Sequence, residues 1–252
     1  MFPTSSFKFT RLPHAKDAGP APWRRWRTAG KFVVLACAAG FSFAQSVAGE
    51  AIAAPARPDT YQARLTIWAL IETLNADLLA SRSATETLTE WCAAHDMAAD
   101  PKISAHLLRG TAKPITMEQR RRLDIGPNEP ILYRRVDLAC GSHILSQSDN
   151  WYVPSRLTSA MNATLQTTKI PFGRVVQPLH PHRRTISVKI LWRPLPHGWD
   201  MALPQADHPK RALVIPPLLF EHRALVYAAG GRPIAEVHET YRSDILDFHA
   251  RR

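Results

Sequence analysis

From Ile103 onward the chain is written as short runs of apolar and alternating residues bounded by Gly and Pro, which restricts it to strands joined by tight turns. Pro130–Ala139 and His143–Val153 form one hairpin around Cys140-Gly141-Ser142. Leu218–Tyr227 and Ile234–Tyr241 form another, joined by Ala229-Gly230-Gly231-Arg232, where glycine tolerates the positive φ of a hairpin turn. Ile103–Arg109 and Thr185–Trp192 read as further strands. Strands that follow one another through hairpins pair antiparallel.

Helical spacing is concentrated in the first half. After a linker at Pro55–Pro58, Ile67, Leu70, Ile71, Leu74, Leu78 and Leu79 recur every three or four residues, which makes one long amphipathic helix. Ser83 and Glu86 have capping-box spacing and open a second helix with Leu88, Trp91 and Cys92 on one face, ending before Asp100-Pro101. Met117–Leu123 is a short basic helix, and Leu157, Met161 and Leu165 place another over Pro154–Thr167, broken at Lys169–Gly173. The fold class expected is α+β, an antiparallel β-sheet with flanking helices.

The first 54 residues stand apart from residues 55–252. Lys8, Arg11, Lys16, Arg24, Arg25, Arg27 and Lys31 face a single acid, Asp17, and are followed by the uncharged run Phe32–Phe43 and the small residues of Ala44–Ala54. That order is the signal-peptide pattern. The expectation is a cleaved targeting segment and a periplasmic or secreted domain; an uncleaved membrane anchor is the alternative, although the apolar run is short for a span. Residues 1–31 carry +6 of the formal net charge of +11, and no basic stripe follows them, so nucleic acid is not an expected partner.

Cys92 and Cys140 sit in apolar surroundings that suit either a disulfide or two small buried hydrophobes. No metal or cofactor is expected: His180-Pro181-His182 has no carboxylate at ligand spacing and reads as a loop. Ser142, Ser146 and Ser148 lack the context of a nucleophilic serine.

Two charges fall where the alternation points inward. Leu132, Arg134, Val136 and Leu138 share one face of a strand, with Tyr133, Arg135 and Asp137 on the other; Val237, Glu239 and Tyr241 share a face of the last strand. A guanidinium and a carboxylate among apolar neighbours each need a partner. Either Arg134 and Glu239 pair with each other, or they line a cavity holding a small anion, the arginine as a bidentate clamp and the glutamate as acceptor or base.

Tyr133-Arg134-Arg135-Val136-Asp137-Leu138, a Cys-Gly turn, Tyr152-Val153-Pro154, Ile170-Pro171-Phe172-Gly173-Arg174 and Gly231-Arg232-Pro233 leading to Glu239-Thr240-Tyr241 resemble, in that order, the chorismate lyase family. Leu78 to Thr85 also resembles an early helix junction of that family, and the likeness spans roughly Leu70 to Leu246. It implies a lyase that eliminates pyruvate from chorismate, or a related cyclic enol ether, to leave 4-hydroxybenzoate. It further implies Arg134 on the ring carboxylate with the backbone N–H of Phe172 assisting, Glu239 facing the ring's 4-oxygen, and Ala84 at a flap beside the pocket. Arg135 stands as an alternative to Arg134, and Arg183 is a candidate for the enolpyruvyl carboxylate. The implied partner is a small anionic aromatic or cyclohexadiene carboxylate. The second expectation is an exported binding protein that holds a small aromatic acid without turnover.

Overall fold

The computed structural model describes residues 57–110, 112–201, 204 and 206–248, all within one compact unit spanning Glu50–Arg252. The targeting segment expected over residues 1–54 lies outside the described residues.

Helix α1 spans Tyr61–Ala80, with the Thr60 hydroxyl accepting from the Ala63 N–H at its start. Ile67, Ile71, Leu74 and Leu78 are fully buried, whereas Leu79, expected on the same stripe, is 49 % exposed because it lies one residue round from Leu78. Helix α2, Ala84–Ala94, is capped by the Ser83 hydroxyl, which accepts from the Glu86 N–H, and it buries Leu88, Trp91 and Cys92. Pro58, expected to end a linker, instead joins Asp59 in strand β1, which pairs with a strand at His208–Ala212.

The remaining strands make a six-stranded antiparallel sheet. Strand β2 is Ile103–Leu107, β3 Leu132–Cys140, β4 His143–Tyr152, β5 His182–Ile190, β7 Leu218–Tyr227 and β8 Pro233–Arg242, with His208–Ala212 as β6. Their order across the sheet is β2-β3-β4-β8-β7-β5. Helix α3, Met117–Arg122, lies before β3; α4, Ser159–Thr167, and the single turn α5, Phe172–Val175, lie between β4 and β5. The helix expected over Pro154–Thr167 is divided: Pro154–Arg156 is a 3-10 turn, Leu157 and Thr158 are extended, and the Thr158 hydroxyl restarts the chain as α4. The mixed α+β architecture with an antiparallel sheet and flanking helices is what the alternation implies.

Strand register sets the site. Arg134 lies opposite Asn150, Asn150 opposite Val237, and Val237 opposite Ala224; in the next row Val136 lies opposite Ser148, Ser148 opposite Glu239, and Glu239 opposite His222. A two-residue period therefore gathers these side chains on one face. Two apolar clusters occupy the ends of that face. One packs α1 and α2 on Val136, Leu138, Phe220 and Tyr241; the other packs Leu165 and Val175 on Tyr152, Ala224, Val226 and Val237. Each fully buried aliphatic side chain contributes about 1.5–3 kcal/mol, so the polar residues between the clusters sit in a well-held frame.

Candidate ligand site

A cavity of about 60 Å³ opens between the two clusters, and Ala84, Arg134, Phe172, Arg183 and Glu239 all line it. The five residues come from five elements: α2, β3, α5, β5 and β8. Strand register decides between the adjacent arginines. Arg134 faces the cavity, whereas Arg135 turns to the opposite face, where it donates to Gln147 and approaches Asp149 at 3.6 Å.

Arg134 and Glu239 do not pair with each other. Glu239 accepts from Arg183 Nη2 at 2.6 Å and from the Tyr241 hydroxyl at 3.1 Å, and both members of the ion pair are buried. Burial works against the charged form of Arg183, but the adjacent Glu239 carboxylate outweighs it and holds the guanidinium above its ordinary value. Tyr241 stays a phenol, because burial and then the Glu239 charge push its ionisation well up.

The network continues to α1. Asn75 Nδ2 donates to Glu72 at 3.0 Å, which leaves Asn75 Oδ1 to accept from His222 Nε2 at 2.8 Å. His222 Nδ1 then faces Arg183 Nη2 at 3.4 Å as an acceptor, so the imidazole is the neutral Nε2–H tautomer. Burial, with Arg183 next in weight, lowers its pKa to about 4.

Arg134 has no such support. It is 4 % exposed, no carboxylate among the described residues lies within ion-pair distance, and its nearest acceptors are the Thr168 and Ile170 carbonyls at 3.4 and 3.3 Å. Its Nε lacks any partner, as does Oδ1 of Asn150, the residue opposite it. Burial pushes the guanidinium below its ordinary value, offset only by Tyr152. An isolated buried cation is costly, and an anion entering the cavity would relieve that cost.

Phe172 opens α5 and lies 5.9 Å from the Tyr152 ring, while Gly173 lets α5 approach α2: a Cβ there would stand 3.0 Å from Thr85 Oγ1. Beyond that contact is a second, outer cavity of about 540 Å³, and Arg82, Ser83, Thr85, Gly173 and Pro181 line both chambers. His180, in the left-handed conformation, borders the outer one, whereas His182 stacks on Tyr227 at 5.0 Å. Cys92 and Cys140 are joined as a disulfide with a Cα–Cα distance of 6.2 Å, so of the two states open to these thiols the paired one is found. No helix among the described residues is long and apolar enough to cross a membrane.

Sequence reasoning passed over Asn150 and the pairing of Arg183 with Glu239. The row Ser146, Ser148, Asn150 on β4 was the available signal, since its period of two matches that of Arg134 across the hairpin.

No family model matches the chain. Among solved structures it is similar to PhnF from Mycobacterium smegmatis, at 16 % identity over 68 % of each chain with a TM-score of 0.43. The effector domain of PhnF matches at 12 % identity over 64 % of this chain and 89 % of that one, with a TM-score of 0.42. A GntR-family transcriptional regulator from Enterococcus faecalis matches at 12 % identity over 59 % of this chain and all of that one, with a TM-score of 0.36. These are regulators and effector domains, not lyases, and the expected release of pyruvate and 4-hydroxybenzoate is corrected accordingly, together with the alternative of a binder of an aromatic acid; the export expected of the domain rests on residues 1–54, outside the described residues. The site offers a physical reason too. The Glu239 carboxylate is committed to Arg183 and Tyr241. In sequence, 194 residues are 46 % identical to the uncharacterized protein y4mC of Sinorhizobium fredii, covering 77 % of this chain and 82 % of that protein. The chain belongs to the same family as y4mC.

Proposed function

We propose that this domain binds a small organic anion, seated in the inner chamber with Arg134 as its counter-ion. The observation that carries the reading is the buried guanidinium that faces a cavity with a free Nε and no carboxylate in reach. Asn150 and Ser148 flank it and supply neutral hydrogen-bonding groups, while Val136, Val226 and Val237 exclude water around the contact. The Arg183–Glu239 pair forms the far wall as a fixed, already neutralised dipole. The reading is one of binding, with no reaction assigned.

The test is thermal unfolding of the protein in the presence of acetate, glycolate and chloride, with Arg134→Met alongside. A ligand that binds only the folded state stabilises it by about 2.7 kcal/mol at a hundred times its Kd. The carboxylates are expected to raise the Tm of the natural protein and chloride is not. Arg134→Met is expected to fold with an equal or higher Tm, because the variant no longer buries an unpaired charge, and to lose the response to carboxylates. A variant that still responds like the natural protein would overturn the assignment.

A further inference from the structure

The inner chamber accounts for a charged head group and little else, and the walls of the two chambers specify what the rest of the ligand is. We infer that the ligand is a hydroxylated aliphatic monoanion, its carboxylate on Arg134 and its hydroxyl-bearing remainder in the outer chamber; the inference rests on the anion-binding reading above.

The charges point to a single negative charge. Arg82, Arg134, Arg174 and Arg183 line the two chambers against Glu86, Glu90 and Glu239, so one positive charge is in excess. Arg183 and Glu239 neutralise each other at 2.6 Å, and Arg134 is the buried member left over. A ligand with a second full negative charge would turn this excess of one positive charge into an excess of one negative charge.

The outer walls point to a polar remainder. Arg82 and Arg174 offer donors, Glu86 and Glu90 offer acceptors, and Thr89 adds a hydroxyl, with no phenyl, phenol or indole ring among the lining residues. These four charged groups balance, and none of them forms an ion pair within 4 Å among the described residues. Donors and acceptors together, with no net charge, suit hydroxyl groups, each of which both donates and accepts. An alkyl or aryl tail would cover these groups without replacing their hydrogen bonds to water. The chambers share Arg82, Ser83, Thr85, Gly173 and Pro181 as walls and meet at the contact of Gly173 with Thr85, so a linear ligand that fills both passes at this contact.

Calorimetric titration with gluconate, hexanoate, glycolate, sorbitol and glucose 6-phosphate separates the possibilities, using the natural protein, Glu90→Ala and Arg174→Ala. Both substituted residues are exposed, so the variants are expected to fold. Gluconate is expected to bind at least ten-fold more tightly than hexanoate or glycolate, and sorbitol and glucose 6-phosphate more weakly than any of them. Each variant should reduce gluconate affinity about ten-fold while leaving glycolate unchanged. Hexanoate binding as tightly as gluconate, a preference for glucose 6-phosphate, or variants without effect on gluconate would overturn the inference and leave the anion reading standing. Failure of glycolate and gluconate alike to bind the natural protein would overturn both.

Discussion

Two arginines on one face of the sheet are held in opposite ways, and the difference is a matter of whether a carboxylate lies within reach of the guanidinium. Arg183 reaches Glu239 and Thr185 and closes a network that runs through His222 to Asn75 on α1. Arg134 stands opposite Asn150 and meets only two long contacts to carbonyls. His222 reports on the integrity of the first arrangement through pH. Its folded pKa, about 4, lies below the ordinary value of 6.5, so between those values the unfolded chain binds a proton that the native fold refuses. The stability linked to this histidine is therefore complete above about pH 6.5 and is lost as pH falls towards 4, by about 3 kcal/mol in all. Urea unfolding from pH 7.5 to 4 should show that decline, and His222→Gln, which keeps an amide acceptor and donor but does not titrate, should flatten it. An unchanged slope in the variant would show that other groups set the acid dependence.

At the scale of elements, α2 carries the most consequence, because its first turn walls the cavity and its last turn is tied to the sheet. Cys92 bonds to Cys140 across 48 residues of sequence, joining α2 to the end of β3 just beyond the pocket-lining Val136 and Leu138. Closing a loop of that length lowers the entropy of the unfolded chain by an amount worth about 4 kcal/mol. Cys92→Ala with Cys140→Ala should accordingly lower unfolding stability by about 2–4 kcal/mol, and reductant should act on the natural protein but not on the double variant. Much of this level was legible: the Ser83 cap, the long α1 stripe and both hairpins follow from spacing and turn residues. What escaped depends on long-range contact. Pro58–Asp59 becomes a strand only because β6 returns to pair with it, and Leu157 leaves its helical spacing because the chain must pass from the sheet to α4.

For the molecule as a whole, the polar band between two apolar clusters is the feature on which the ligand reading depends. The inward position of Arg134 and Glu239 was legible from a period of two in each strand, yet their separation was not, since that depends on sheet order: β4 lies between β3 and β8, and β5 lies beyond β7, where Arg183 reaches across to Glu239. The same order explains why α2 and α5, rather than the sheet, should respond to occupancy. The strands hold their side of the cavity through continuous ladders, whereas the other side is the contact between the start of α2 and the single turn of α5, closed at Gly173. Segments with few ladder hydrogen bonds open locally at less cost than strands do, so a ligand that bridges them slows their opening most. Hydrogen exchange with and without a saturating carboxylate should show added protection at residues 83–88 and 170–176, with little change in β4 and β8. Protection spread evenly over the sheet would indicate that binding merely stabilises the whole fold, and protection confined to β6 and its neighbours would place the ligand elsewhere. In Arg134→Met the difference between the two samples should vanish, because the charge that draws the anion between α2 and α5 is gone.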